Sequence, residues 1–361
     1  MATDGDALVL CEGRFGATDG KTAHGLVRFT RRYRVRGVID STLAGADAGE
    51  ALDGRRRGIP IVASLEEGLR LASADGAPIT HLVVGVATLG GRLPADLRPI
   101  IAAALERGLH VDSGLHELLG DDPGLAAIAA RTGARIRDVR RPAPRGELRF
   151  YTGKISHVAC PKVAVLGTDC AVGKRTTSWL LAQALENAGI RATMVGTGQT
   201  AWMQGAPFGL LLDSVVNDFV TGEIEHAVWR AWSEARPQVI VIEGQGTLIH
   251  PAYPGGFEIL GAARPEAVIL QHAPGRLDLE GFPGCPVAHP SRHIEVIRLV
   301  SNTPVIAIAM SREGLGQGEL RGAARRLSDE TGLPVLDPLA DDGGALAGLV
   351  ARHFALRPAG A

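Results

Sequence analysis

The chain has 361 residues, 45% of them hydrophobic and 21% charged, with a formal net charge of -1. That length exceeds the usual size of a single domain and points to two. The near-neutral charge argues against general nucleic-acid binding, and only 4% aromatic residues argue against platforms for stacking single-stranded bases.

The opening "MATDGDALVL" has no basic stretch ahead of an apolar core, so no secretory signal is expected. No run of about 18 apolar residues occurs, so no membrane span is expected either. Cys11, Cys160, Cys170 and Cys285 are too widely spaced for paired metal ligands and too few for a disulfide scaffold. A cytoplasmic protein is the simplest expectation. Arginine far outnumbers lysine, which occurs only at 21, 154, 162 and 174, so each compact ammonium is notable.

In chain order, "ALVL", "VRGVID", "HLVVGVAT" and "GLHVDSG" read as buried strands. "SLEEGLRLA" and "LRPIIAAALERG" between them carry helical periodicity, which predicts a small doubly wound domain. After the first strand, "CEGRFGATDGKTAHGLVRF" has glycines at 13, 16 and 20, but not in the G-x-G-x-x-G spacing of a dinucleotide turn. Its Lys21, His24 and Arg28 form a basic cluster suited to an acidic substrate, or simply surface charge. Prolines and charges in "RRPAPRGELRFYTGKI" mark a linker, which gives domains at 1–145 and 146–361.

The second domain opens with strand "KVAVLG", then "GTDCAVGKRTT", then a helix from "RTTSWLLAQALENAG". This reads as a phosphate-binding loop, in which strand, glycine-rich turn and helix N-terminus converge backbone N–H groups on one anion; a glycine-rich turn without ligand is the plainer alternative. Gly167 and Gly173 allow the tight path, and Lys174 is placed to reach phosphate oxygens. Thr168, Asp169, Thr176 and Thr177 complete the candidate cofactor-binding set. Two features depart from the standard loop. Five residues separate the two glycines, and Arg175 stands where a Ser or Thr would hold Mg²⁺. Arginine cannot ligate a metal but can clamp a phosphate.

Strand "RATMVGT" follows, then "GTGQTAWMQG", in which Gln199 is a candidate for a polar substrate or part of an ordinary turn. "DSVVNDFVTGEIE" carries acids, including Asp218 and Glu225, that fit a substrate ammonium, a metal or a solvated helix face. "VIVIEGQGTLIHPAY" ends a strand at Glu243 and places Gln245, His250 and Tyr253 just beyond it, where ligands of α/β sheets bind. "LQHAPGR" puts His272 and Arg276 after another strand; His272 is a candidate proton carrier or a structural histidine. "PVIAIAM" reads as a last buried strand.

The ordered set "EGRFG…KTAHGLVR", "GTDCAVGKRTT", "TGQT", "EGQGTLIHPAY" and "HAPGR" resembles, over almost the whole chain, one bacterial and archaeal family. That family, long a domain of unknown function, includes the DgcN-type D-glutamate N-acetyltransferases. The "GTD" start with five-residue spacing is similar to dethiobiotin synthetase, whose relatives keep a Thr after the lysine. The resemblance implies an α/β fold of two domains: an N-terminal Rossmann-like doubly wound sheet and a C-terminal P-loop NTPase-like sheet. It also implies acetyl transfer from acetyl-CoA to the amine of an acidic D-amino acid.

Three readings follow. In an N-acetyltransferase, the loop grips cofactor phosphates, Glu243, His250 or His272 removes the ammonium proton, and Lys21 and Arg28 hold substrate carboxylates. Gln199, Gln245, Tyr253, His24 and Arg276 then complete the small-molecule site. In an ATP-dependent carboxylate–amine ligase, Asp169 or Glu243 holds Mg²⁺ and Lys174 stabilises the transferring phosphoryl group. In a non-catalytic reading, a nucleotide gates a regulatory protein. A homo-oligomer is expected in each case.

Overall fold

The computed structural model describes residues 3–74, 76 and 78–359. Six strands of the first unit pair in parallel, β1 (Gly5–Leu10), β2 (Tyr33–Ile39), β3 (Ile61–Val62), β4 (His81–Val84), β5 (His110–Ser113) and β6 (Ile136–Asp138). Their order is β3-β2-β1-β4-β5-β6. This is the doubly wound order of dinucleotide-binding folds, in which the strand sequence reverses beside β1. Helices α1 (Lys21–Arg28), α2 (Ala48–Asp53), α3 (Leu65–Ala74), α4 (Arg98–Glu106) and α5 (Pro123–Thr132) connect the strands. Ala7 to Leu10 and Leu82 to Val84 are fully buried. Strands covered on both faces need unbroken apolar runs, and these short runs were the readable signal.

The second unit has seven parallel strands in the order β13-β12-β11-β7-β10-β8-β9. They are β7 (Lys162–Gly167), β8 (Ala192–Gly196), β9 (Phe208–Gly209), β10 (Val239–Glu243), β11 (Ala267–His272), β12 (Val305–Met310) and β13 (Val335–Leu336). Helix α6 (Lys174–Asn187) follows β7, and α8 (Asn217–Ala235), α9 (Pro290–Ser301), α10 (Gln317–Thr331) and α11 (Gly344–His353) complete it; α7 (Gln199–Met203) lies between β8 and β9 in sequence. The short strands β3, β6, β9 and β13 have two or three residues each, too few to show a pattern in sequence.

The units are Met1–Pro142 with Gln199–Gly205, and Ala143–Gly198 with Ala206–Ala361. The sequence reading of one cut between 145 and 146 contains no such insertion. The physical reason for it is side-chain burial. Ala201 and Met203 are fully buried, and Met203 is part of the first unit's core. Trp202 lies under the guanidinium of Arg32, 3.7 Å from its ring centroid, with that of Arg137 at 4.7 Å. Gln204 Nε2 donates to the carbonyls of Gly25 and Phe29, both at 2.9 Å. A segment carrying two apolar anchors and an amide nitrogen with both donors paired groups with whichever core accepts them.

Glu225 departs from all three readings of its helix. It is fully buried, and its carboxylate accepts from Thr152 N at 2.7 Å, Thr152 Oγ1 at 2.9 Å and Ile155 N at 3.2 Å. It fastens the linker to α8 rather than facing solvent or a ligand. Among the described residues, no helix is long and apolar enough to cross a membrane.

Candidate functional site

β7 is the centre of the second sheet, with β10 on one side and β11 on the other. Loops leaving the carboxyl ends of neighbouring strands at such a reversal form a crevice where ligands bind. Residues 168–173 leave β7 there and enter α6. Thr168 N donates to Gln271 O at 3.0 Å, and Thr168 Oγ1 lies 2.9 Å from His272 Nδ1. Gly173 caps α6 with φ +111°, a conformation costly for any side chain, and a Cβ there would crowd Gln271 at 3.3 Å. A Cβ on Gly167 would lie 2.9 Å from the Lys174 stem, so this glycine makes room for the lysine.

Lys174 begins α6 and is buried. Its ammonium donates to Asp169 O at 2.6 Å and Gly246 O at 2.9 Å, joining the loop to the exit of β10. Burial pushes its pKa down, opposed by the neighbouring Cys170, Asp169 and Glu243. A buried cation resting on carbonyls gains most from an incoming anion. Arg175 and Thr176 are half-buried in the first helical turn. Thr177 is buried, and its Oγ1 donates to Gln271 Oε1 at 2.5 Å.

Asp169 is fully buried and accepts three hydrogen bonds. Oδ1 accepts from Cys170 N at 2.6 Å; Oδ2 accepts from Arg276 at 2.7 Å and Glu280 N at 2.8 Å. Arg276 also donates to Cys170 O at 2.7 Å and to Glu313 at 2.6 and 3.1 Å. The side chain read in the sequence as a substrate ligand thus clamps the loop through Nη1 while Nε and Nη2 make a bidentate pair with Glu313, a division suited to a guanidinium.

Glu243 ends β10. Its Oε2 accepts from Thr197 N at 2.8 Å, and its carbonyl accepts from Thr197 Oγ1 at 3.1 Å. Burial pushes its carboxyl pKa up, opposed most by the Arg175 guanidinium. Gln245 packs on the exit of β8, where a Cβ on Gly198 would meet its Nε2 at 2.7 Å. His250 is buried; its Nδ1 accepts from Ala252 N at 3.0 Å and Tyr253 N at 2.9 Å. Its ring lies 5.2 Å from that of exposed Tyr253 and 5.3 Å from that of Phe282. Burial pushes its pKa down, with Asp169 opposing and Lys174 reinforcing.

His272 is pushed down to about 4 by burial and by His293. His293, on α9, is also pushed down to about 4 by burial and by Lys174, and its Nδ1 lies 3.2 Å from Thr247 Oγ1. Sequence reasoning missed His293, Thr247 and Gln271. Gln271 stood beside His272 in a quoted motif, whereas His293 sits in the first turn of α9, in "PSRHIEV", with no local signal.

Lys21, His24, Arg28 and Gln199 belong to the first unit. Lys21 opens α1, and His24 Nε2 lies 2.6 Å from Phe15 O. Arg28 pairs with Asp53 at 3.2 Å, and Gln199 Oε1 accepts from Arg140 at 2.8 Å. Beyond β2, Asp40 accepts from Phe15 N at 2.8 Å, Thr42 N at 3.0 Å and Thr42 Oγ1 at 2.6 Å. An acid there reaches a ribose hydroxyl in dinucleotide folds; here its oxygens hold the β1–α1 loop.

Two domain profiles match this chain: a Rossmann-like N-terminal domain over residues 41–142 and a P-loop domain over residues 149–347, both described as domains of unknown function of the DUF1611 type. A D-glutamate N-acetyltransferase from Tritonibacter scottomollicae is 32% identical over 287 residues, 77% of this chain and 83% of that protein. Another of the same name, from a Pseudoalteromonas species, is 30% identical over 270 residues, 72% of this chain and 77% of that protein. The crystal structure of a DUF1611 family protein from Anabaena variabilis is 30% identical and superposes with a TM-score of 0.86, covering 97% of this chain and all of that one. With both domains matched in order and the fold shared along nearly its full length, the chain belongs to the DUF1611 family.

Proposed function

We propose that the protein is an N-acetyltransferase that moves the acetyl group of acetyl-CoA to the amine of an acidic amino acid such as D-glutamate. The names of its two relatives support the reaction class. The observation that carries the cofactor assignment is the loop itself: a buried ammonium at a helix N-terminus, followed by a guanidinium where a metal-holding hydroxyl would stand. Such a grip suits a diphosphate that needs no Mg²⁺. Of the two acids read as Mg²⁺ holders, Asp169 already receives three donors, and Glu243 is buried with Oε2 on Thr197 N. That weakens the ATP-dependent ligase reading.

The directions of the pKa shifts favour Glu243 as the base. A base works best with a pKa near the operating pH, and burial moves Glu243 towards that range while moving His250 and His272 away. Amide formation releases CoA as thiol and leaves the ammonium proton on the carboxylate.

The decisive experiment incubates the protein with a panel of D- and L-amino acids and either acetyl-CoA or Mg-ATP, followed by mass spectrometry. N-acetylated acidic product with acetyl-CoA alone is expected; phosphate release dependent on an amino acid would establish the ligase instead. Glu243→Gln is expected to lower kcat about 10²- to 10⁴-fold with little change in CoA affinity. A bound CoA whose thiol lies far from Glu243 would remove that residue from the chemistry.

A further inference from the structure

We propose that His250 serves the bound phosphate group as a fixed, neutral hydrogen-bond donor through Nε2–H, and acts neither as a proton carrier nor as a metal ligand. The inference rests on the reading that the loop binds a phosphorylated cofactor. It begins with the ring's other nitrogen. Two backbone N–H groups, of Ala252 and Tyr253, converge on Nδ1 at 3.0 and 2.9 Å. Nδ1 must therefore present its lone pair, and the single proton of the neutral ring sits on Nε2.

Two alternatives fail on the same geometry. An imidazolium would carry a second proton on Nδ1, aimed at two donors. A metal bound through Nε2 would displace the proton to Nδ1 and create the same clash. Asp169, Cys170 and His250 do offer ligand atoms within 4.8 Å of one another. Yet the Asp169 carboxylate already accepts three hydrogen bonds, one of them from the Arg276 guanidinium, and the Lys174 ammonium donates to the same residue's carbonyl at 2.6 Å. A cation would enter a place already neutralised by Arg276 and Lys174.

The donor assignment explains an otherwise orphaned group. Among the described residues, His250 Nε2 is buried with no hydrogen-bond partner; Asp169 Oδ1, 3.5 Å away, does not complete a hydrogen bond to it. Buried donors are almost always paired, and exceptions call for a specific cause. Here the neighbouring cation, Lys174, rests on two main-chain carbonyls. When the ammonium turns to a phosphate, Nε2–H becomes the adjacent donor for one of its oxygens. The rings of Tyr253 and Phe282 hold the imidazole plane. Burial of the ring disfavours its charged form, which agrees with neutrality.

The test uses the full chain labelled with ¹⁵N-histidine and two variants, His250→Gln and His250→Ala. Long-range ¹H–¹⁵N correlation is expected to show a pyridine-like Nδ1 and a protonated Nε2 whose signal moves when pyrophosphate or CoA is added. A protonated Nδ1 would overturn the proposal. Calorimetric affinities for pyrophosphate, CoA and ATP provide the second readout. Glutamine, which can place an N–H near the Nε2 position, is expected to stay within about threefold of wild type, and alanine to lose about tenfold or more. Equal losses in both variants would overturn it, as would stoichiometric Zn²⁺ binding abolished by His250→Gln. If the variants behave as expected but no acetyl-CoA turnover occurs with any amino acid, the donor assignment stands and the acetyltransferase reading falls. If no phosphorylated probe binds, the donor assignment falls with the loop.

Discussion

Lys174 and Arg276 show how two cations in one loop divide the work. Lys174 holds no position that its carbonyl partners could not surrender to a stronger anion. Arg276 has its donors committed to Asp169, Cys170 and Glu313. Their substitutions should therefore fail differently. Lys174→Ala is expected to abolish CoA binding while leaving the urea midpoint near or above wild type, because a buried charge is removed. Unchanged affinity would take the loop out of the site. Arg276→Ala leaves the fully buried Asp169 carboxylate without its counter-ion, and such losses cost about 3–5 kcal/mol. A large fall in the urea midpoint, with phosphate affinity lost in parallel, is the expected result. Arg276→Ala with wild-type stability would show that the clamp does not hold the loop.

At the scale of the element, β7, its loop and α6 form a unit whose backbone is as specific as its side chains. Gly173→Ala forces φ +111° on a residue with a Cβ and pushes it against Gln271. A loss of about 1–3 kcal/mol is expected. Affinity should fall further than stability, because Gln271 also receives Thr177 Oγ1. Calorimetry of the variant beside its denaturation curve separates the two effects. This element was legible in the sequence because its chemistry is local: glycines, lysine and helix start are neighbours along the chain. The long strands were legible for a similar reason, since burial on both faces writes itself as an apolar run. The short edge strands and the Arg276 clamp were not legible. A strand of two residues has no period, and Asp169 and Arg276 meet only once the sheet has brought β7 and β11 together. His293 depends on the packing of α9, which nothing in its own helix announces.

At the scale of the whole molecule, the buried histidines set an acid limit. His272 and His293, both held down at about 4, stay neutral in the fold, whereas an unfolded histidine titrates near 6.5. Between those values the unfolded chain binds more protons. Stability contributed by these groups is therefore full above about pH 6.5 and is lost as pH falls towards 4. The slope is up to about 1.4 kcal/mol per pH unit for each histidine. Urea midpoints measured across that range should fall with acid in wild type and fall less steeply in a His272→Gln, His293→Gln double variant. An identical slope would mean that other groups govern the acid limit. Met203→Ala, deep in the first core, is expected to cost about 2–5 kcal/mol although its codon lies among those of the second unit.

That displaced methionine also has a bearing on synthesis. Ribosomes release the amino-terminal sheet first, but its final apolar plug is translated only after β7, α6 and β8. At roughly 5–20 residues per second, the nascent sheet waits several seconds for that plug. During the wait its vacant seat for Met203 and Trp202 is open to chaperones, and a ribosome stalled before codon 199 would carry a half-finished first domain for them to find.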